Sequence, residues 1–115
     1  MATVVVSLAM IAVGGLLLLM AWLGSQRRLP RNGWAGIRVP ATKRSDRAWE
    51  AAHVVSAGPV GISGAILALG GLAVGVSGLD NPVGMVGAAV ALAGSAVALA
   101  IGTRSAIRAA KAADA

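Results

Sequence analysis

Long runs of uncharged, apolar residues alternate with short polar segments along this chain. The first run covers residues 4–23, and residues 54–76 and 83–103 form two more runs without a charge. At about 1.5 Å of rise per helical residue, some 20 residues cross the roughly 30 Å hydrocarbon core of a bilayer. The pattern therefore predicts an all-α integral membrane protein with three transmembrane helices in a single membrane domain, residues 1–115.

The first run also has to be weighed against a cleavable signal peptide. Such a peptide has a basic segment followed by a short apolar stretch of about 7–15 residues. Nothing basic precedes Val4, and the apolar run that follows is longer than this. We therefore interpret residues 4–23 as a retained transmembrane helix.

The polar segments differ strongly in charge. Residues 25–53 hold seven Lys and Arg against Asp46 and Glu50, a net charge of +5, whereas residues 77–82 hold no Lys or Arg. The segment after Thr103 adds three more basic residues. Because basic loops stay on the cytoplasmic side, we expect a multi-pass membrane protein with its N-terminus outside and its C-terminus in the cytoplasm.

The basic segment, residues 25–53, divides into two parts. Its first part contains two prolines and is expected to be irregular, after which Thr42 or Ser45 could cap a short interfacial helix. We expect that helix to end near Pro59, which either begins the second span or kinks it. Ser45, Trp49 and His53 recur at every fourth position, so they would share one helix face.

Composition excludes several classes of function. The chain is 57% hydrophobic and 12% charged, whereas soluble domains carry about 25% charged residues. It has no Cys, one His and four acidic residues, which leaves no thiolate nucleophile and few metal ligands. We therefore expect no enzyme activity, no catalytic residues, no metal and no cofactor. The net charge of +6 is assigned to topology and to contact with anionic lipid headgroups rather than to nucleic acid.

Two side chains in the basic segment allow more than one interpretation. Arg38, between Ile37 and Val39, could hold a lipid phosphate, a carboxylate or a backbone carbonyl, or it could simply set topology. His53 could relay a proton or could be a hydrogen-bonded residue at the membrane boundary.

Small residues recur four apart in the second and third runs. This spacing allows helix backbones to approach closely, either within one chain or between copies in a homo-oligomer, and it also arises by chance in Ala- and Gly-rich sequences. The rows are Gly71 and Gly75, Gly84 and Ala88, and Gly94, Ala98 and Gly102.

The stretch from Asn32 to His53 resembles the signature of the SdpI family of bacterial membrane proteins. That signature has an Asn, an aromatic residue two positions on, Gly-Ile-Arg, a Pro, a Thr, a Ser or acid, a Trp and a His. The matching positions, called the motif residues below, are Asn32, Trp34, Gly36, Ile37, Arg38, Pro40, Thr42, Ser45, Trp49 and His53. The residue after the Arg is Val39 and the residue after the His is Val54, and both differ from the common pattern.

The resemblance implies a location in the bacterial inner membrane and a function, neither of which the residues alone imply. The chain resembles the second half of longer family members with six spans. The resemblance implies immunity against a membrane-active peptide toxin, or signalling by holding a soluble repressor at the membrane. The motif residues would then be the interaction site. Two alternatives stay open, an accessory subunit of a larger membrane complex and a small oligomeric transporter.

Overall fold

The structure is a computed structural model that describes residues 1–33 and 36–113. It contains the helices α1 (Ala2–Ser25), α2 (Pro40–Lys43), α3 (Asp46–Ser77) and α4 (Pro82–Ala113). Helices α1, α3 and α4 are long and apolar enough to cross a membrane. The predicted all-α fold with three membrane helices is therefore confirmed.

Helix α3 is the central element of the molecule. Helices α1 and α4 both pack along it, and in the described part of the chain the backbones of α1 and α4 do not come close to each other. The arrangement is elongated, about 51 Å by 20 Å by 20 Å. Leu67 and Val74 of α3 form a core with Met10 of α1 and with Ala88 and Ala91 of α4.

Glycine contacts bring α1 and α3 together. A Cβ atom added at Gly14 would lie 2.6 Å from the Gly64 carbonyl oxygen, and one added at Gly64 would lie 2.7 Å from the Gly14 carbonyl oxygen. The two backbones are therefore in direct contact at this crossing. Elsewhere in the same interface, the buried Ser7 hydroxyl of α1 donates to the Gly71 carbonyl of α3 at 2.7 Å.

A buried serine pair joins α3 to α4. The Ser63 hydroxyl donates to the Ser95 carbonyl at 3.0 Å, and the two hydroxyl oxygens lie 2.7 Å apart. Both side chains are buried. Because apolar surroundings offer a hydroxyl no alternative partner, this pair fixes the register of the two helices.

The predicted rows of small residues lie mostly inside the chain. Gly71 and Gly75 face Ser7 and its neighbours on α1, while Gly102 faces Pro59 on α3. Gly94 has only ordinary contacts, with Ile66. These rows therefore pack helices of one chain together, and by themselves they do not indicate a homo-oligomer.

The two ends of the molecule differ in charge and are named here the turn end and the basic end. At the turn end Gly78 has a φ of +83°, and the Asn81 side chain caps α4 by accepting from the Gly84 N–H at 3.0 Å. The Leu79 N–H donates to the Thr3 hydroxyl at 2.9 Å, which joins α1 to the turn. The basic end holds the segment between α1 and α3 together with the last turns of α4, and so it holds all ten Lys and Arg.

The separate interfacial helix is not found. Ser45 caps a helix as predicted, because its hydroxyl accepts from the Ala48 N–H at 3.0 Å, but that helix is α3 itself. Pro59 lies inside α3 and does not end it. Proline within a membrane helix is tolerated where packing against neighbouring helices compensates for the lost hydrogen bond. The only additional helix in the described residues is the four-residue α2.

The contact between Gly14 and Gly64 gives a matched test of helix packing. We expect Gly14→Ala to lower the free energy of unfolding by about 1–3 kcal/mol, because the new methyl group overlaps backbone atoms of α3. Gly15→Ala is the control, since nothing lies within 4 Å of a Cβ there. It should be neutral or stabilising by up to about 1 kcal/mol. Thermal unfolding of both variants in detergent measures the difference, and equal melting temperatures would contradict the close contact.

Candidate functional site

The candidate site is the basic end, where irregular backbone between α1 and α3 folds against the first turns of α3. Three buried side chains hold it there: Thr42, Trp49 and His53. Apolar contacts support them, because Ile37 and Ala41 pack against a buried cluster of four alanines. The cluster is formed by Ala48 and Ala52 of α3 with Ala106 and Ala110 of α4.

Trp49 fixes the start of the irregular segment. Its side chain is only 2% exposed, and its indole Nε1–H donates to the Leu29 carbonyl at 2.8 Å. A buried indole nitrogen needs such an acceptor, so the bond specifies where the chain passes after α1 ends.

His53 fixes the middle of the segment. Its Nε2 accepts from the Ile37 N–H at 2.9 Å, and its Nδ1 lies 2.8 Å from the Trp49 carbonyl oxygen. A backbone N–H can only donate and a carbonyl can only accept, so the network assigns the proton to Nδ1. The His53 and Trp49 rings also lie together, with centroids 4.2 Å apart.

Gly36 allows the chain to approach these two rings. Its φ is +100°, in the region that favours glycine. A Cβ atom here would lie 2.7 Å from His53 Nε2 and 3.1 Å from Trp49 Cζ2. Any side chain at this position would therefore displace the backbone that donates to His53.

Thr42 closes the segment just before α3. It is fully buried, and its hydroxyl donates to the Ile37 carbonyl at 2.6 Å while accepting from the Val39 N–H at 3.1 Å. One hydroxyl thus satisfies two backbone groups across the Ile37–Val39 stretch. Pro40 begins α2, where a missing N–H costs nothing.

The remaining motif residues lie at the surface or outside the described residues. Asn32 is partly exposed, and its amide nitrogen donates to the Pro30 carbonyl at 2.8 Å. Arg38 is exposed, not partly buried, and its Nη1 donates to the Gly33 carbonyl. Trp34, also predicted as a site residue, lies outside the described residues. The structure thus brings Gly36, Thr42 and the two buried rings together and leaves Arg38 at the rim.

Two exposed ion pairs border the site. Arg27 lies 3.3 Å from Glu50, and Arg31 lies 3.3 Å from Asp46. Arg27 also ends α1 in a left-handed conformation, with φ of +59°, although glycine usually occupies such a position. Exposed ion pairs contribute only about 0–1 kcal/mol each, so the buried hydrogen bonds above dominate the site.

Leu29 carried no signal in the sequence, because it takes part through its backbone carbonyl, which any residue has. Ile37 is a predicted motif residue, but its hydrogen bonds with His53 and Thr42 are made by backbone atoms and were not predicted. The alanine cluster has a weak signal, because Ala48 and Ala52 are four residues apart, as are Ala106 and Ala110.

The buried polar side chains of the site are engaged within the chain, next to a small cavity. A small cavity of about 100 Å³ lies beside His53, between α1 and α4, with otherwise mostly apolar walls. Among residues 1–33 and 36–113, no three His, Cys, Asp or Glu side chains lie close enough together to hold a metal ion. Both ring nitrogens of His53 and the hydroxyl of Thr42 already have partners within the chain.

Thr42 provides a direct test of the hydrogen bonds that hold the segment. Thr42→Val should cost about 1–3 kcal/mol of unfolding free energy, because the Ile37 carbonyl and the Val39 N–H lose their partner. Thr42→Ser keeps the hydroxyl and is the control. Hydrogen–deuterium exchange of residues 36–44 should speed up strongly in the valine variant and little in the serine variant. Equal exchange in the two variants would show that the hydroxyl does not hold the segment.

The chain is similar to one protein family along most of its length. The model of the SdpI/YfhL protein family matches residues 28–105, which include every motif residue, the whole of α3 and most of α4. No curated protein and no solved structure matches the chain. The match covers more than half of the 115 residues, and the three apolar helices fit a short member. The chain is a multi-pass membrane protein that belongs to the SdpI/YfhL family.

Proposed function

We propose that this chain is a bacterial cell-membrane protein that gives immunity against a membrane-active peptide toxin. The observation that carries the proposal is the extent of the family match, which contains the motif residues and the helices onto which they fold. The resemblance to SdpI proteins implies immunity to a secreted killing peptide. A second role implied by the same resemblance is retention of a soluble repressor at the membrane.

The position of the motif favours the immunity role. The segment lies against the sides of α1 and α3, with buried apolar residues and an apolar groove next to it. A membrane-active peptide would meet this surface from within the bilayer. Retention of a repressor would instead use exposed basic residues such as Lys43 and Arg44, which point away from the helices' apolar contacts.

The other two alternatives have less support. A transporter needs a polar path, yet the buried hydroxyls of Ser7, Ser63 and Ser95 are already bonded between helices. An accessory subunit needs a stable partner, which purification from native membranes would reveal.

The proposed topology places the basic end in the cytoplasm and the turn end outside. It is supported by the concentration of all ten basic residues at one end. The chain has no cysteine, so single-cysteine variants report without background. We expect an impermeant thiol reagent to label Asp80→Cys in intact cells and to label Ala113→Cys only after lysis. Labelling of Ala113→Cys in intact cells would show the opposite orientation.

A survival assay tests the immunity role. We expect the chain to raise the survival of a sensitive bacterial strain challenged with a small secreted peptide encoded beside its gene. His53→Ala should abolish most of this protection, because it removes the acceptor of the Ile37 N–H and releases the segment. Arg104→Gln, an exposed change on α4, is the control and should protect fully. Survival equal to that of cells without the protein would contradict the immunity role, and recovery of a soluble repressor with the membranes would favour the second role.

A further inference from the structure

An apolar groove lies between α1 and the irregular segment. One wall consists of Leu16, Leu19 and Leu23, and the other includes Leu29 and Pro30. Its volume is about 550 Å³, within the range of roughly 300–1,000 Å³ found for small-molecule sites. The leucines lie on the opposite side of α1 from Gly14 and Ala21, which pack against α3, so the groove opens towards the bilayer.

The groove runs along the membrane normal. From Leu16 to Leu23 it follows α1 for about 10 Å at the usual helical rise, and it then continues beside the segment at the basic end. In a bilayer, the part lined by Leu16 and Leu19 would lie among the acyl chains, and the part lined by Leu29 and Asn32 would lie nearer the headgroups. A phospholipid in a bilayer has the same arrangement, with its acyl chains towards the membrane centre and its polar headgroup towards the surface.

Two arginines that form no ion pair among the described residues are neighbours of residues that line the outer part, although they do not line it themselves. Arg28 directly precedes Leu29, and its guanidinium carbon lies 5.7 Å from the centre of the Trp22 ring. Arg38 is held at the Gly33 carbonyl, next to Asn32, whose side chain also lines the groove. Arg28 lines a neighbouring pocket that also contains Asp46 and Glu50. In the described residues those two carboxylates pair with Arg31 and Arg27, and neither Arg28 nor Arg38 has an acidic group within salt-bridge distance.

We propose that this groove binds one anionic phospholipid, with an acyl chain along α1 and its phosphate against Arg28 and Arg38. Guanidinium groups recognise phosphate through paired hydrogen bonds, and Arg38 uses only Nη1 for the Gly33 carbonyl. The net charge of +5 on residues 25–53 selects an anionic lipid over a zwitterionic one. The proposal does not depend on the immunity role.

Native mass spectrometry of the full chain, released from detergent, tests the charged part of the site. The probes are dioleoylphosphatidylglycerol, dioleoylphosphatidylcholine and the headgroup alone as glycerol 3-phosphate. We expect phosphatidylglycerol to bind best and the R28Q/R38Q double variant to lose about tenfold or more in affinity for it. Arg104→Gln removes an equally exposed charge outside the groove and should lose less than twofold. An equal loss of affinity in both variants would show that the lipid is held only by the general positive charge of the protein, which contradicts a specific site. Glycerol 3-phosphate binding as tightly as the lipid would show that the acyl chain contributes nothing to binding.

A second pair of variants tests the apolar wall. L16A/L19A removes leucines that are 58% and 50% exposed, and L69A/L72A removes leucines of α3 that are 66% and 55% exposed. We expect several-fold weaker phosphatidylglycerol binding for the first pair and no change for the second. The melting temperature without added lipid should be the same for both pairs, which shows that each is folded. Wild-type affinity in L16A/L19A would overturn the groove as the acyl-chain site.

Discussion

The hydrogen bond from the Ile37 N–H to His53 Nε2 is the interaction on which the basic end depends. Irregular backbone beside membrane helices must find partners for its polar groups, because lipid offers none. His53 supplies one partner, Trp49 a second and Thr42 two more. Gly36 makes the first of these bonds possible, because any Cβ atom there would collide with the imidazole ring.

This network explains why so polar a stretch of sequence is compatible with so apolar a protein. The polar side chains of Thr42, Trp49 and His53 point inwards to the backbone, whereas most of the charges point outwards. The site is therefore a fixed surface whose buried polar side chains already have hydrogen-bond partners within the chain. What remains available to a ligand is its rim of basic residues and the apolar walls beside it.

The sequence was sufficient for the membrane helices and less so for the segment between them. Span length and charge bias are properties of consecutive residues, so three helices were predictable. The continuity of α3 was not, because Pro59 can begin, kink or simply occupy a helix, and packing against Gly102 on α4 decides between these. The face shared by Trp49 and His53 followed from their spacing. The partner of Trp49 at Leu29 did not, and neither did the backbone hydrogen bond between the predicted motif residue Ile37 and His53, because backbone atoms leave no trace in the sequence.

The helices at the basic end finish at different heights. Gly24, in the last turn of α1, packs against His53, whereas α3 begins at Asp46, about 10 Å further out at the usual helical rise. Helix α4 continues to Ala113 and accompanies α3 through this outer part. The irregular segment therefore lies in a step, beside the first turns of α3 and the last turns of α1, and it is exposed both at the end of the molecule and on its side.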